Sequence, residues 1–213
     1  MKGLIRNNFY AMEGNMVISF IVAAFLAIMP VFLKSSSFIP IILAIQIFIF
    51  VVNTGTSLHA DTTAKWNKYE RILPVKSGEP ILAKYISFAI LILLGVAMSL
   101  LTLFCAAAAG ITLDLADLTV GYGYGLTLSG ISIGIMYPIM LRTGTDKNEL
   151  ILIFSAFGSV GLRLLAAFVL SPWTEGMNIQ HPLVNTVSAL AALVIFAGSY
   201  FVSLGIYRHK EFY

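Results

Sequence analysis

The chain has 213 residues, 59% of them hydrophobic and only 11% charged, with a formal net charge of +3. Water-soluble domains carry about 25% charged residues, so a mean hydropathy of +0.91 excludes an ordinary soluble enzyme, a disordered chain and a collagen-like repeat. The single cysteine, Cys105, excludes an internal disulfide and any cysteine-built zinc or iron–sulfur site, and the basic excess reads as a topology signal rather than an affinity for nucleic acid.

Residues 1–15 come first. Ile5, Phe9, Met12 and Met16 recur at helical spacing, with Lys2, Arg6, Asn7 and Glu13 around much of the remaining circumference. This pattern predicts a helix lying in the membrane interface; a leader whose bases merely anchor topology is the alternative. A transmembrane helix needs about 20 mainly apolar residues. Six stretches qualify: Met16–Leu33, Ile39–Leu58, Lys84–Gly110, Tyr122–Leu141, Leu150–Leu170 and Leu183–Tyr207. The first is read as a retained span rather than a cleaved leader, because no polar segment follows before the second. The fourth is the least apolar and the richest in glycine, so it is expected to be the most irregular, with a kink at Pro138. The fold class expected is an all-α, single-domain membrane protein of six spans.

The basic residues fix an orientation for that arrangement. With a cytoplasmic N-terminus, one face receives Lys2, Arg6, Lys65, Lys68, Arg71, Lys76, Lys84, Arg142, Lys147, Arg208 and Lys210. The opposite face receives only Lys34, and Arg163 falls inside the fifth span. Basic residues concentrate on cytoplasmic loops, so both termini are expected in the cytoplasm.

The longest connection on that side, 59–83, is patterned. Asp61, Thr62 or Thr63 can cap a helix start. Trp66, Tyr69 and Leu73 then fall on one helical face, Lys65, Lys68 and Arg71 lie mostly elsewhere, and Pro74 ends the run. Such a short aromatic helix suits a groove on a partner protein or the headgroup layer equally well.

The run Asp61…Trp66-Asn67-Lys68-Tyr69-Glu70…Leu73-Pro74-Val75…Ala83-Lys84-Tyr85, set between a second and a third span, resembles the permease subunits of type-two ABC exporters. It is most similar to small bacterial permeases that export amphipathic peptides such as phenol-soluble modulins. The resemblance implies that Asp61 to Leu73 is the coupling helix seated on an ATP-binding subunit. Trp66, Tyr69 and Glu70 are then its contacts, Pro74 fixes its exit, and the loop from Arg142 to Glu149 is a smaller contact. It also implies two separate ATP-binding subunits carrying ATP and Mg, and a second copy or a homologous permease, in a bacterial cell membrane. The chain has no Gly-x-x-x-x-Gly-Lys-Ser/Thr loop of its own, so it is expected to hydrolyse nothing and to hold no cofactor.

Inside the spans, Arg163 is the outlier. A cation at such depth costs a few kcal/mol unless it pairs, snorkels or faces water, so it either faces a path or a subunit, or bonds structurally within the bundle. Gly130 with Gly134, and Gly158 with Gly161, permit close helix packing. His59, His181 and His209 are scattered, so no metal site is expected, and no catalytic spacing is found. The function expected is therefore the membrane subunit of an ATP-driven exporter of amphipathic or apolar cargo. A non-transporting scaffold docking a cytoplasmic partner is the alternative, and a secondary carrier, which lacks acidic residues in its spans here, comes third.

Overall fold

A computed structural model describes residues 1–66, 69, 78–145, 147–174 and 176–209. Among the described residues seven helices have defined bounds: α1 (Lys2–Tyr10), α2 (Glu13–Leu33), α3 (Ile39–Thr63), α4 (Glu79–Ala108), α5 (Leu115–Thr143), α6 (Asn148–Leu170) and α7 (Pro182–His209). The last six are each long and apolar enough to cross a membrane.

Several helices outrun the apolar stretches that announce them. α3 continues past Leu58 to Thr63, α4 starts at Glu79, and α5 starts at Leu115 instead of Tyr122. Hydropathy marks where lipid begins, whereas caps mark where hydrogen bonding begins. Asp114 accepts from the Ala116 N–H at 3.0 Å and so starts α5 ahead of its apolar part. Pro80 sits in the first turn of α4, where its missing N–H is no loss. The glycine-rich α5 is continuous through Pro138 and stops at Gly144, whose φ of 91° only glycine adopts freely.

α3 and α5 are the central helices, buried along most of their length, while α2, α4, α6 and α7 turn broad apolar faces outward. α5 packs chiefly on α7 and α3, α4 on α3, α2 on α4, and α6 on α5. Glycine sets the separation. A Cβ on Gly123 of α5 would stand 2.6 Å from Asn185 Cβ of α7, and one on Gly95 of α4 would stand 2.6 Å from Ile47 Cα of α3. A dense core forms where Val51 and Leu58 (α3), Tyr85 and Phe88 (α4), Tyr137 (α5) and Tyr207 (α7) converge. Within it the Tyr85 and Tyr137 rings meet edge to face.

Lipid offers no hydrophobic drive for helices to associate, so polar pairs join them instead. Buried Gln46 of α3 donates to the Ala23 carbonyl of α2 at 2.8 Å and accepts from Thr102 of α4 at 2.7 Å. Asn53 of α3 donates to Ser19 of α2 at 2.9 Å. The Tyr85 hydroxyl pairs with Ser199 and Ser203 of α7 at 2.7 and 2.9 Å.

α1 is the short N-terminal helix, and its packing differs from a simple amphipathic reading. Leu4, Asn8 and Met12 are buried, while Ile5 and Phe9 are only half-buried. Asn8 looks like a polar-face residue, but its amide donates to Ser87 Oγ of α4 at 3.0 Å, which draws that face inward.

Candidate functional site

Two places concentrate polar chemistry, one at each end of the bundle. The first lies where α3 ends and α4 begins. Asp61 belongs to the last turn of α3 rather than to the cap of a new helix, and Thr62 and Thr63 donate back to the Leu58 and His59 carbonyls. The Asp61 carboxylate is buried against the Lys84 ammonium of α4 in a direct ion pair. Lys84 also donates to Ser57 Oγ of α3 at 3.1 Å. A buried carboxylate in low dielectric needs such a partner, and Lys84 sits in the first two turns of α4, within reach because α3 and α4 pack side by side.

Beyond this pair the chain turns at Lys65, whose φ of 52° is left-handed. Trp66 and Tyr69 follow as helical residues; Tyr69 is 56% exposed, Trp66 is half-buried, and their ring centroids are 6.5 Å apart. Glu70, Leu73 and Pro74, the other expected docking residues, lie outside the described residues. The turn around Gly144 between α5 and α6 belongs to this same end, with Asn148 beside Gly55 of α3.

The second place is the opposite end, around Arg163 of α6. The side chain is 3% exposed. Nη2 donates to Asn185 Oδ1 of α7 at 2.5 Å and to the Ile179 carbonyl at 3.1 Å. The guanidinium carbon stands 4.2 Å from the centre of the Tyr124 ring of α5. Asn185 is itself held by the Gln180 and His181 carbonyls at 3.0 and 3.2 Å. Nε and Nη1 have no hydrogen-bond partner, and no carboxylate pairs with the guanidinium among the described residues. Arg163 also forms part of the wall of a cavity of about 450 Å³ lined mostly by apolar side chains of α3 and α5.

Sequence reasoning singled out Arg163 but not Tyr124 or Asn185. The signal for Asn185 was available, since an amide near the start of an apolar span needs a partner. Tyr124 stands in the Gly-Tyr-Gly-Tyr-Gly run at 121–125, where nothing in the local pattern marks a partner for a cation on another helix. The glycines are distributed unevenly. A Cβ on Gly130 would meet Ala192 at 3.3 Å and one on Gly134 would meet Ile195 at 3.2 Å, both on α7. One on Gly158 would meet Ile135 at 3.1 Å, whereas Gly161 has nothing within 4 Å. Among the described residues no group of three or more His, Cys, Asp or Glu side chains could hold a metal ion.

Six long apolar helices joined by buried polar pairs define a multi-pass membrane protein. The sequence pattern of the ABC-2 family transporter proteins matches residues 3–208, nearly the whole chain, and the chain belongs to that family. It is a membrane-embedded, non-catalytic component of a transporter. No curated protein and no solved structure gives a significant match.

Proposed function

We propose that this chain is the permease subunit of an ATP-driven exporter in a bacterial cell membrane, with both termini cytoplasmic. Two separate ATP-binding subunits, holding ATP and Mg, work on a pair formed with a second copy or a homologous permease. The cargo is amphipathic or apolar: a peptide, a lipid or a drug-like molecule. Family membership supports the transporter frame. The observation that carries the finer reading is the exposed Tyr69 ring beside Trp66, a few residues past a buried ion pair.

That arrangement suits force transmission. A push on the docking segment reaches α3 through the short turn at Lys65 and reaches α4 through Asp61 and Lys84. α3 is the most enclosed helix, so its displacement moves α2 and α5 with it. Closure of the ATP-binding subunits then opens and closes a path at the permease–permease interface. Inverted vesicles containing the chain and its ATPase test the cargo and the direction. ATP-dependent accumulation of a fluorescent amphipathic peptide or acyl-chain probe is expected; accumulation independent of ATP would overturn the reading.

A further inference from the structure

We propose that the cavity beside Arg163 is a binding site for an amphiphile with one acidic headgroup, the acid on the guanidinium and the apolar tail along α3 and α5. The inference deepens the export reading and rests on it only in treating the occupant as cargo; binding itself stands on the site alone.

Three observations converge. First, Arg163 is a buried cation with no acidic partner among the described residues, an expensive state inside a membrane span. The Tyr124 face and the two acceptors on Nη2 offset part of that cost, but neither neutralises the charge. Second, among the described residues Nε and Nη1 are buried donors without acceptors, and leaving such groups unmade is costly. A structural arginine is expected to use these donors on backbone carbonyls; among the described residues only Nη2 has acceptors here, the Ile179 carbonyl in the loop before α7 and the Asn185 side chain. Third, the adjoining cavity, about 450 Å³, is within the range of ligand sites and has the composition of one: apolar walls with a single charged group.

The lining also shows how an occupant enters. Ile41 and Ile45, on the wall, are 59% and 44% exposed on the flank of α3, so the cavity reaches the outer surface of the bundle. Nε and Nη1 are covered in this conformation. Tyr124 lies over the guanidinium and also lines the cavity, so it is the side chain whose displacement uncovers them. A cationic headgroup is disfavoured by Arg163, and a neutral one leaves its charge unanswered. An acid satisfies both the charge and the free donors.

The test uses the full chain purified in a short maltoside detergent, with dodecanoate as probe under conditions where its carboxylate is ionised. Dodecanol, dodecylamine and acetate are the controls, and both equilibrium binding and thermal stability are read. Saturable binding of dodecanoate with a raised Tm is expected. Binding should weaken about tenfold or more in Arg163→Gln, the loss of one charge-assisted contact. Leu128 of α5 lines the cavity, so Leu128→Trp, which narrows it and keeps the arginine, should lose binding as well, and it decides the matter where Arg163→Gln does not fold. Equal binding of dodecanol would overturn the charge assignment, and equal binding of acetate the tail assignment. Unchanged affinity in both variants, or no saturable binding to the wild type, would overturn the site. Mass spectrometry of the purified complex separates the sources. An acidic phospholipid retained by the wild type and lost from Arg163→Gln supports the proposal with the bilayer as supplier; dodecanoate binding to a lipid-free site supports it with cargo. Because no ATPase is needed, failure of the export reading and failure of this site are distinguishable.

Discussion

Asp61 and Lys84 show how one pair of side chains can decide the behaviour of a helix end. Each is buried, and each would be left as an unpaired charge if the other were removed. Asp61→Ala is therefore expected to destabilise the protein by about 3–5 kcal/mol, read as a lower thermal midpoint in detergent. The double replacement Asp61→Leu with Lys84→Met should recover much of that loss, because burying two apolar side chains avoids the desolvation of both ions. A double variant as unstable as the sum of the singles would contradict the pairing. The sequence contains both residues in the run that resembles an exporter loop, but their pairing was not legible there. Asp61 reads locally as a helix cap, and only the continuation of α3 to Thr63 brings it opposite α4. Arg163 was legible as an anomaly because a charge in an apolar span stands out; its free nitrogens and the neighbouring cavity were not, because they depend on α3 and α5.

At the scale of elements, the six spans were readable because lipid demands long apolar runs, and their ends were not, because caps lie outside those runs. α5 is the clearest case. Its glycines suggested irregularity, yet they allow a regular helix to sit close to α3 and α7. Gly123→Ala places a methyl against the Asn185 Cβ of α7, with the Asn185 backbone just behind it, and is expected to cost about 1–3 kcal/mol, since neither helix can yield freely. Gly161→Ala meets open space and should stay within about 0.5 kcal/mol of the wild type. Thermal unfolding of the two variants in one detergent checks the contrast, and equal losses would show that α5 and α7 are not packed through Gly123. The N-terminal helix carries a similar lesson. Its hydrophobic spacing was visible, but the inward turn of Asn8 depends on a serine 79 residues further on.

For the whole molecule, the distribution of basic residues makes a prediction about sidedness. In a Cys105→Ser background, single cysteines at the exposed positions Ser37, Thr112 and Asn178 should react with an impermeant maleimide added to intact cells. Cysteines at the exposed positions Tyr69 and Lys147 should react only after the membrane is opened. The reverse pattern would place the docking segment outside and remove the basis for coupling to ATP. The central claim is that the segment around Trp66 and Tyr69 seats an ATP-binding subunit. The most direct measurement is purification of the tagged chain from its native membrane in mild detergent, alongside Trp66→Ala and Tyr69→Ala. A stoichiometric ATPase that accompanies the wild type and is lost from both variants, with the permease still folded, is the result this account predicts. A wild-type chain that emerges under several detergents without any nucleotide-binding partner, or an ATPase retained equally by all three, would contradict it.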